Sequence, residues 1–161
     1  MSEVKSAPER GKAELLAALE PLARVIAGLR LEDPGAARAA VEAALPFHGP
    51  AVAAARAAAE AGAREGWLLP REAGGIRFGR LTKDLQGLSV DAVHMDRPGP
   101  RHRHPLGEVD LCFATGGEPR FDGHPPGWVV YGPDSVHVPT VREGAMLILY
   151  FLPGAKIEFL E

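Results

Sequence analysis

Gly99-Pro-Arg-His-Arg-His-Pro-Leu-Gly-Glu108, running on through Val-Asp-Leu-Cys-Phe-Ala114, is the stretch on which the fold turns. His102 and His104 stand at i and i+2, so an extended backbone directs both imidazoles to one face. Pro105 and Gly107 then let the chain bend and return the Glu108 carboxylate to the same centre. Beyond that bend Glu108, Asp110, Cys112 and Ala114 share one face of a strand, and Val109, Leu111 and Phe113 the other. A barrel with a polar cavity and an apolar outer wall reads this way. From Trp67 onward glycine and proline cut the chain into short segments rich in valine, leucine, phenylalanine and tyrosine. The pattern predicts strands over 76–82, 88–95, 108–114, 119–122, 127–131, 135–138, 145–152 and 156–160. Many short strands need closure or a second layer to bury their apolar face, and a jelly-roll β-barrel suits this length.

Before Gly66 the chain is dominated by alanine and nearly lacks the β-branched and aromatic residues that favour strands. Leu15, Leu19, Leu22, Ile26 and Leu29 form an apolar stripe at helical spacing, although Pro21 is expected to kink that helix or split it. Asp33-Pro34 reads as an N-cap and first helical position, opening a helix that Pro46 ends. A third helix is expected from Pro50 to near Gly66, a suitable C-terminal cap. The fold class is therefore mainly β with an N-terminal helical part. Residues 1–66 are expected to pack on a barrel formed by 67–161.

A chain of 161 residues has room for one core with a modest appendage. Its net charge of −3 offers no basic excess for phosphates, so nucleic acid is not an expected partner. No apolar run approaches the roughly 20 residues of a membrane span, and Met1 to Arg10 lack the apolar stretch of a secretory signal. The expectation is a cytoplasmic protein with no membrane partner. Cys112 is the only cysteine, so it has no disulfide partner within the chain and reads as a small buried hydrophobe.

Two imidazoles and a carboxylate suit first-row divalent metals that keep positions open for substrate or water. A further imidazole is available in His137, within Tyr131-Gly-Pro-Asp-Ser-Val-His137. The expected cofactor is a divalent ion (zinc, iron, manganese or nickel) on His102, His104, Glu108 and His137, with no organic cofactor. Asp110 faces the same cavity, where it could orient a ligand histidine, act as an acid or base, or pair with a neighbouring arginine. Arg71, Arg77 and Arg80, in Arg71-Glu-Ala-Gly-Gly-Ile-Arg-Phe-Gly-Arg80, carry the planar fork that grips a carboxylate, if they are not simply solvated edge charges. Trp67, His94, Trp128 and Tyr131 could line a pocket, although such residues more often serve packing.

The His102/His104/Glu108 spacing with a later histidine resembles the two cupin motifs. The first matches at every ligand position. In the second, Pro133 stands four residues before His137 instead of five, Ser135 replaces a usual glycine, and the usual asparagine is missing. Together with Glu65-Gly-Trp67, Gly74 to Arg80, Phe121-Asp-Gly123, Gly127-Trp-Val-Val-Tyr-Gly-Pro133 and Pro139-Thr-Val, the chain resembles the 4-hydroxylaminobenzoate lyases, closely in the barrel half and in outline in the helical half. That resemblance implies bacterial nitroaromatic degradation, in which 4-hydroxylaminobenzoate becomes 3,4-dihydroxybenzoate (protocatechuate) with release of ammonia. It points to His102, His104, Glu108 and His137 as the catalytic centre, with Asp110, Tyr131, Arg71, Arg77 and Arg80 as its neighbours. A small aromatic carboxylate substrate and a homodimer or higher homo-oligomer are expected. Two other readings stay open: another metal-dependent cupin enzyme on an aromatic acid, such as a dioxygenase or isomerase, and a non-catalytic aromatic-acid-binding module.

Overall fold

The computed structural model describes residues 6–161, so residues 1–5 of the segment read for a signal lie outside it. Three helices come first: α1 (Ala7–Ala27), α2 (Pro34–Ala44) and α3 (Pro50–Glu65). Each start has a local cause. Ser6 Oγ accepts the Glu9 N–H at 3.2 Å, Asp33 Oδ1 accepts the Ala36 N–H at 3.1 Å, and Pro34 and Pro50 open α2 and α3. Gly66 ends α3 in the left-handed region at φ 88°. α1 runs on through Pro21, so of the two expected outcomes the split does not occur. Both Pro21 and Ala17, whose carbonyl loses its partner, are exposed, so that carbonyl is open to solvent.

The strands are β1 (Arg71–Ala73), β2 (Ile76–Leu85), β3 (Leu88–Met95), β4 (His102–His104), β5 (Glu108–Phe121), β6 (Gly127–Tyr131), β7 (Ser135–His137), β8 (Val141–Pro153) and β9 (Glu158–Phe159). They form a six-stranded sheet, β1-β2-β3-β8-β5-β6, and a three-stranded sheet, β7-β4-β9, with antiparallel neighbours throughout. The expected strands 108–114 and 119–122 are one. β5 bends instead of turning back, shifting register against β8 between Ala114 and Gly116 and again between Gly117 and Arg120. At that bend a Cβ on Gly144 would lie 2.1 Å from the Gly116 carbonyl oxygen, so no other residue fits.

The outer face of the large sheet lies beneath the helices. Leu15, Leu19, Leu22, Val41 and Val52 share one buried cluster with Val90, Leu111, Phe113, Leu149 and Phe151. Full burial of each such side chain stabilises the fold by about 1.5–3 kcal/mol. Trp128 is wholly buried there, and its Nε1–H donates to the Leu45 carbonyl at 2.9 Å, joining α2 to β6. The inner face carries a second cluster: Met95, Cys112, Phe121, Val129, Ile148 and Tyr150. Cys112 is buried and free, as read from the sequence. With helices covering one face, the other is left to the small sheet and to the polar residues gathered between the two.

Candidate active site

The small sheet assembles the histidines. In its register His102 lies opposite His137 and His104 opposite Ser135. Strand alternation turns both β4 imidazoles inward while Arg103 points out, to Asp134 and Glu158. Gly107, at φ 89°, makes the return to Glu108, and a Cβ there would stand 2.8 Å from the Tyr131 carbonyl oxygen. One ligand atom from each of His102, His104, Glu108 and His137 falls within 4.8 Å of all the others. His102 Nε2 lies 2.8 Å from His104 Nε2 and 3.0 Å from His137 Nε2, and His104 Nε2 lies 3.0 Å from Glu108 Oε2. His102, His104 and Glu108 are all buried.

Their outer nitrogens reveal where the protons are. His102 Nδ1 is 3.1 Å from the Pro100 carbonyl oxygen, which can only accept. His104 Nδ1 is 2.9 Å from Ser135 Oγ, whose own proton goes to the Gly132 carbonyl at 2.7 Å, so Ser135 accepts as well. His137 Nδ1 is 2.6 Å from the Asp122 carboxylate oxygen Oδ2. Each imidazole therefore donates through Nδ1–H, and when neutral it bears a bare lone pair on Nε2. Three lone pairs and a carboxylate oxygen then face one another at hydrogen-bond distance with no proton among them. Burial also lowers the His102 pKa, more than the nearby Glu108 raises it, so an imidazolium there is disfavoured. A cation from outside relieves the repulsion, and the donor set suits a divalent first-row metal.

Two acids flank the centre, their pKa values displaced in opposite directions. Asp110 is completely buried beside Glu108, and neither of its oxygens meets an N–H or O–H donor. Burial first, and the Glu108 carboxylate second, push its pKa well up. A proton held by Asp110 toward Glu108 is the one donor available to the pair. Asp122 is only half-buried. Burial pushes its pKa up, but hydrogen bonds from His137, Tyr131 and the Thr140 N–H outweigh it and hold the carboxyl below its usual range. The Tyr131 hydroxyl donates to Asp122 Oδ2, and its ring lies 4.4 Å from that of His137 and 5.4 Å from that of His104, centroid to centroid. Asp122 and Ser135 were not among the residues expected in the site. The signal available in sequence was the Asp122-Gly123 turn pair and the unusual serine two residues before His137.

The arginines stand further off, on β1 and β2, with β3 and β8 lying between β2 and β5. Register separates them by face. Arg80 pairs with Asp91, Asp91 with Tyr150, and Tyr150 with Asp110, so all four look toward the barrel interior. Arg71, opposite Phe78, shares that side. Arg77 pairs with His94, itself opposite Leu147 in the helix-side cluster, and so faces away from the histidines. The Arg80 fork is held by Asp91 at 2.8 and 3.2 Å.

A sequence model of the 4-hydroxylaminobenzoate lyases matches residues 31–159. The chain belongs to the 4-hydroxylaminobenzoate lyase family. A 4-hydroxylaminobenzoate lyase of Nocardioides sp. (strain LMS-CY) is 33% identical over 112 residues, covering 61% of this chain and 66% of that protein. One from Pseudomonas putida is 29% identical over 121 residues, covering 61% and 68%. The chain thus spans about two thirds of the length of these curated relatives. Among solved structures, an RmlC-like cupin protein from Ralstonia eutropha JMP134 is 15% identical with a TM-score of 0.40, covering 55% of this chain and 62% of that one. A putative acetylacetone dioxygenase from Methylibium petroleiphilum PM1 is 17% identical with a TM-score of 0.41, covering 55% and 68%. The lyase family has here a mainly antiparallel, cupin-type jelly roll with three helices, as the strand topology shows. No helix among the described residues is long and apolar enough to cross a membrane.

Proposed function

We propose that this protein is a 4-hydroxylaminobenzoate lyase, converting 4-hydroxylaminobenzoate and one water to 3,4-dihydroxybenzoate and ammonia, with a divalent metal held by His102, His104, Glu108 and His137. The observation that carries the reading is the convergence of three Nε2 lone pairs on a buried carboxylate, in a member of this family. The N–O bond must break, the ring must gain oxygen, and the carbon–nitrogen bond must then break. When bound, the metal supplies Lewis acidity at the hydroxylamine oxygen and eases ionisation of water.

The chain's own groups supply the rest. Asp110, its pKa raised first by burial and then by the Glu108 carboxylate, can serve as the proton donor to the departing oxygen. Met95, Phe121, Ile148 and Tyr150, buried on the inner face of the large sheet, give that side an apolar wall. Of the three arginines, Arg71 and Arg80 share the face of the site, a substrate carboxylate at Arg80 having to share or displace Asp91, whereas Arg77 lies on the other face. Self-association in the cytoplasm fits the exposure of Leu106, Val136, Val138 and Phe159.

The test is anaerobic incubation of the purified protein with 4-hydroxylaminobenzoate, measuring ammonia and 3,4-dihydroxybenzoate. Equal amounts of both, suppressed by chelator and restored by metal, are expected. Product only in the presence of oxygen would point to a dioxygenase, and binding without product to a non-catalytic module. Either result would overturn the proposal.

A further inference from the structure

The three imidazoles are held through Nδ1 by a backbone carbonyl, a hydroxyl and a carboxylate, and the carboxylate belongs to His137 alone. His137 most needs such a partner. It ends β7, a three-residue strand paired only with β4, and the next residue, Val138, is exposed. Its usual motif context is also altered, with Ser135 and a shortened spacing from Pro133.

Asp122 is built to receive it. The Phe121 and His124 backbones exchange hydrogen bonds at 2.8 Å, closing a tight turn in which Asp122 takes a left-handed conformation at φ 48°. Its N–H donates to the Thr140 carbonyl at 2.9 Å, and its Oδ1 accepts the Thr140 N–H at 2.9 Å. Oδ2 accepts from both the Tyr131 hydroxyl and His137 Nδ1. The carboxylate is thus fixed by contacts that do not involve His137: the Thr140 N–H on Oδ1 and the Tyr131 hydroxyl on Oδ2.

We infer that Asp122 is the positioning residue that makes His137 a ligand. It fixes the proton on Nδ1, aims the Nε2 lone pair at the common centre, and through its charge makes that nitrogen a stronger electron donor. The effect on metal affinity rests on the metal-dependent reading above; the effect on the tautomer does not.

Asp122→Asn keeps the shape and an acceptor oxygen but removes the charge and permits the side chain to donate instead. Two measurements on the full-length protein separate the possibilities. Nitrogen-15 NMR of the histidines is expected to show His137 as a single Nδ1–H tautomer with a strongly deshielded, exchange-protected proton, both features being lost in Asp122→Asn. Zinc affinity, by competition with a chromophoric chelator, is expected to fall about tenfold to hundredfold. A variant that keeps the tautomer and binds zinc within twofold of the parent would overturn the inference while leaving the metal reading intact. A parent that binds no zinc but shows the tautomer, lost in the variant, would support Asp122 and remove the metal reading. If Asp122→Asn does not fold, the parent spectrum decides: an Nε2–H tautomer at His137 overturns the inference.

Discussion

Replacing Ser135 by alanine removes a single oxygen, and the consequence follows from its two bonds. Ser135 Oγ gives its proton to the Gly132 carbonyl at 2.7 Å and accepts His104 Nδ1–H at 2.9 Å. The Gly132 carbonyl keeps a second donor, the Ser135 N–H at 3.3 Å, so the exposed loss falls on His104. That side chain has no solvent exposure, and an unpaired buried donor costs about 1–3 kcal/mol. At about 2 kcal/mol the melting temperature in chelator should drop by roughly 4–8 °C. The larger effect is on the tautomer. With no acceptor at Nδ1, the proton is drawn to Nε2, where Glu108 Oε2 waits at 3.0 Å, and an Nε2–H imidazole cannot ligate. Metal affinity should therefore fall about tenfold to hundredfold. Ser135→Thr, which keeps the hydroxyl, should recover most of both losses. Chelator competition and thermal denaturation measure the two effects. An alanine variant with the parent's affinity and melting temperature would refute the assignment of the His104 tautomer.

Removing residues up to Gly66 should leave an insoluble barrel, because Leu111, Phe113, Leu149 and Phe151 would face water; a soluble fragment melting with the intact chain would contradict this packing. In steady-state kinetics on 4-hydroxylaminobenzoate, Arg71→Ala or Arg80→Ala should raise KM about tenfold or more with little change in kcat, whereas Arg77→Ala should leave both near the parent values. Asp110→Asn should raise the stability of the metal-free protein. The Asp110 pKa is raised on folding, so its contribution is fully present below the ordinary carboxylate range, near pH 4, and is lost as pH rises toward the raised folded value. The amide lacks that loss, so its melting-temperature advantage should appear above about pH 4 and grow toward neutrality; equal melting curves from pH 4 to 7 would contradict the buried acid.

Much of this architecture was legible in the chain because local chemistry decides it. Asp33-Pro34 and Gly66 mark helix ends by capping, and the i, i+2 histidines announce both an extended strand and a shared face. Strand β6 begins and ends at the expected residues because Gly127 and the Gly132-Pro133 pair punctuate it. What escaped was set by distance in space. The bend that makes β5 one strand depends on the approach of Gly144 to Gly116, a contact between residues far apart in sequence. The face occupied by Arg77 depends on pairing with β3, because alternation alone cannot say which side is inward. Asp122 reads in sequence as the last residue of a strand over 119–122, and its place beside His137 is set by contacts between residues distant in sequence. Ser135 looked like a departure from a motif, although its hydroxyl is what selects the His104 tautomer. Pro21 leaves α1 unsplit because the carbonyl it deprives of a partner is exposed, which periodicity does not report.

The central claim is that the lone pairs of His102, His104 and His137, with Glu108, hold a metal. Elemental analysis of the full chain, purified without chelator, tests it most directly. About one equivalent of a divalent first-row transition metal per chain is the expected result, falling to background in a His104→Ala variant that retains its fold. Well under a tenth of an equivalent of any such metal in the parent, with none taken up on dialysis against zinc, iron, manganese or nickel, would contradict it.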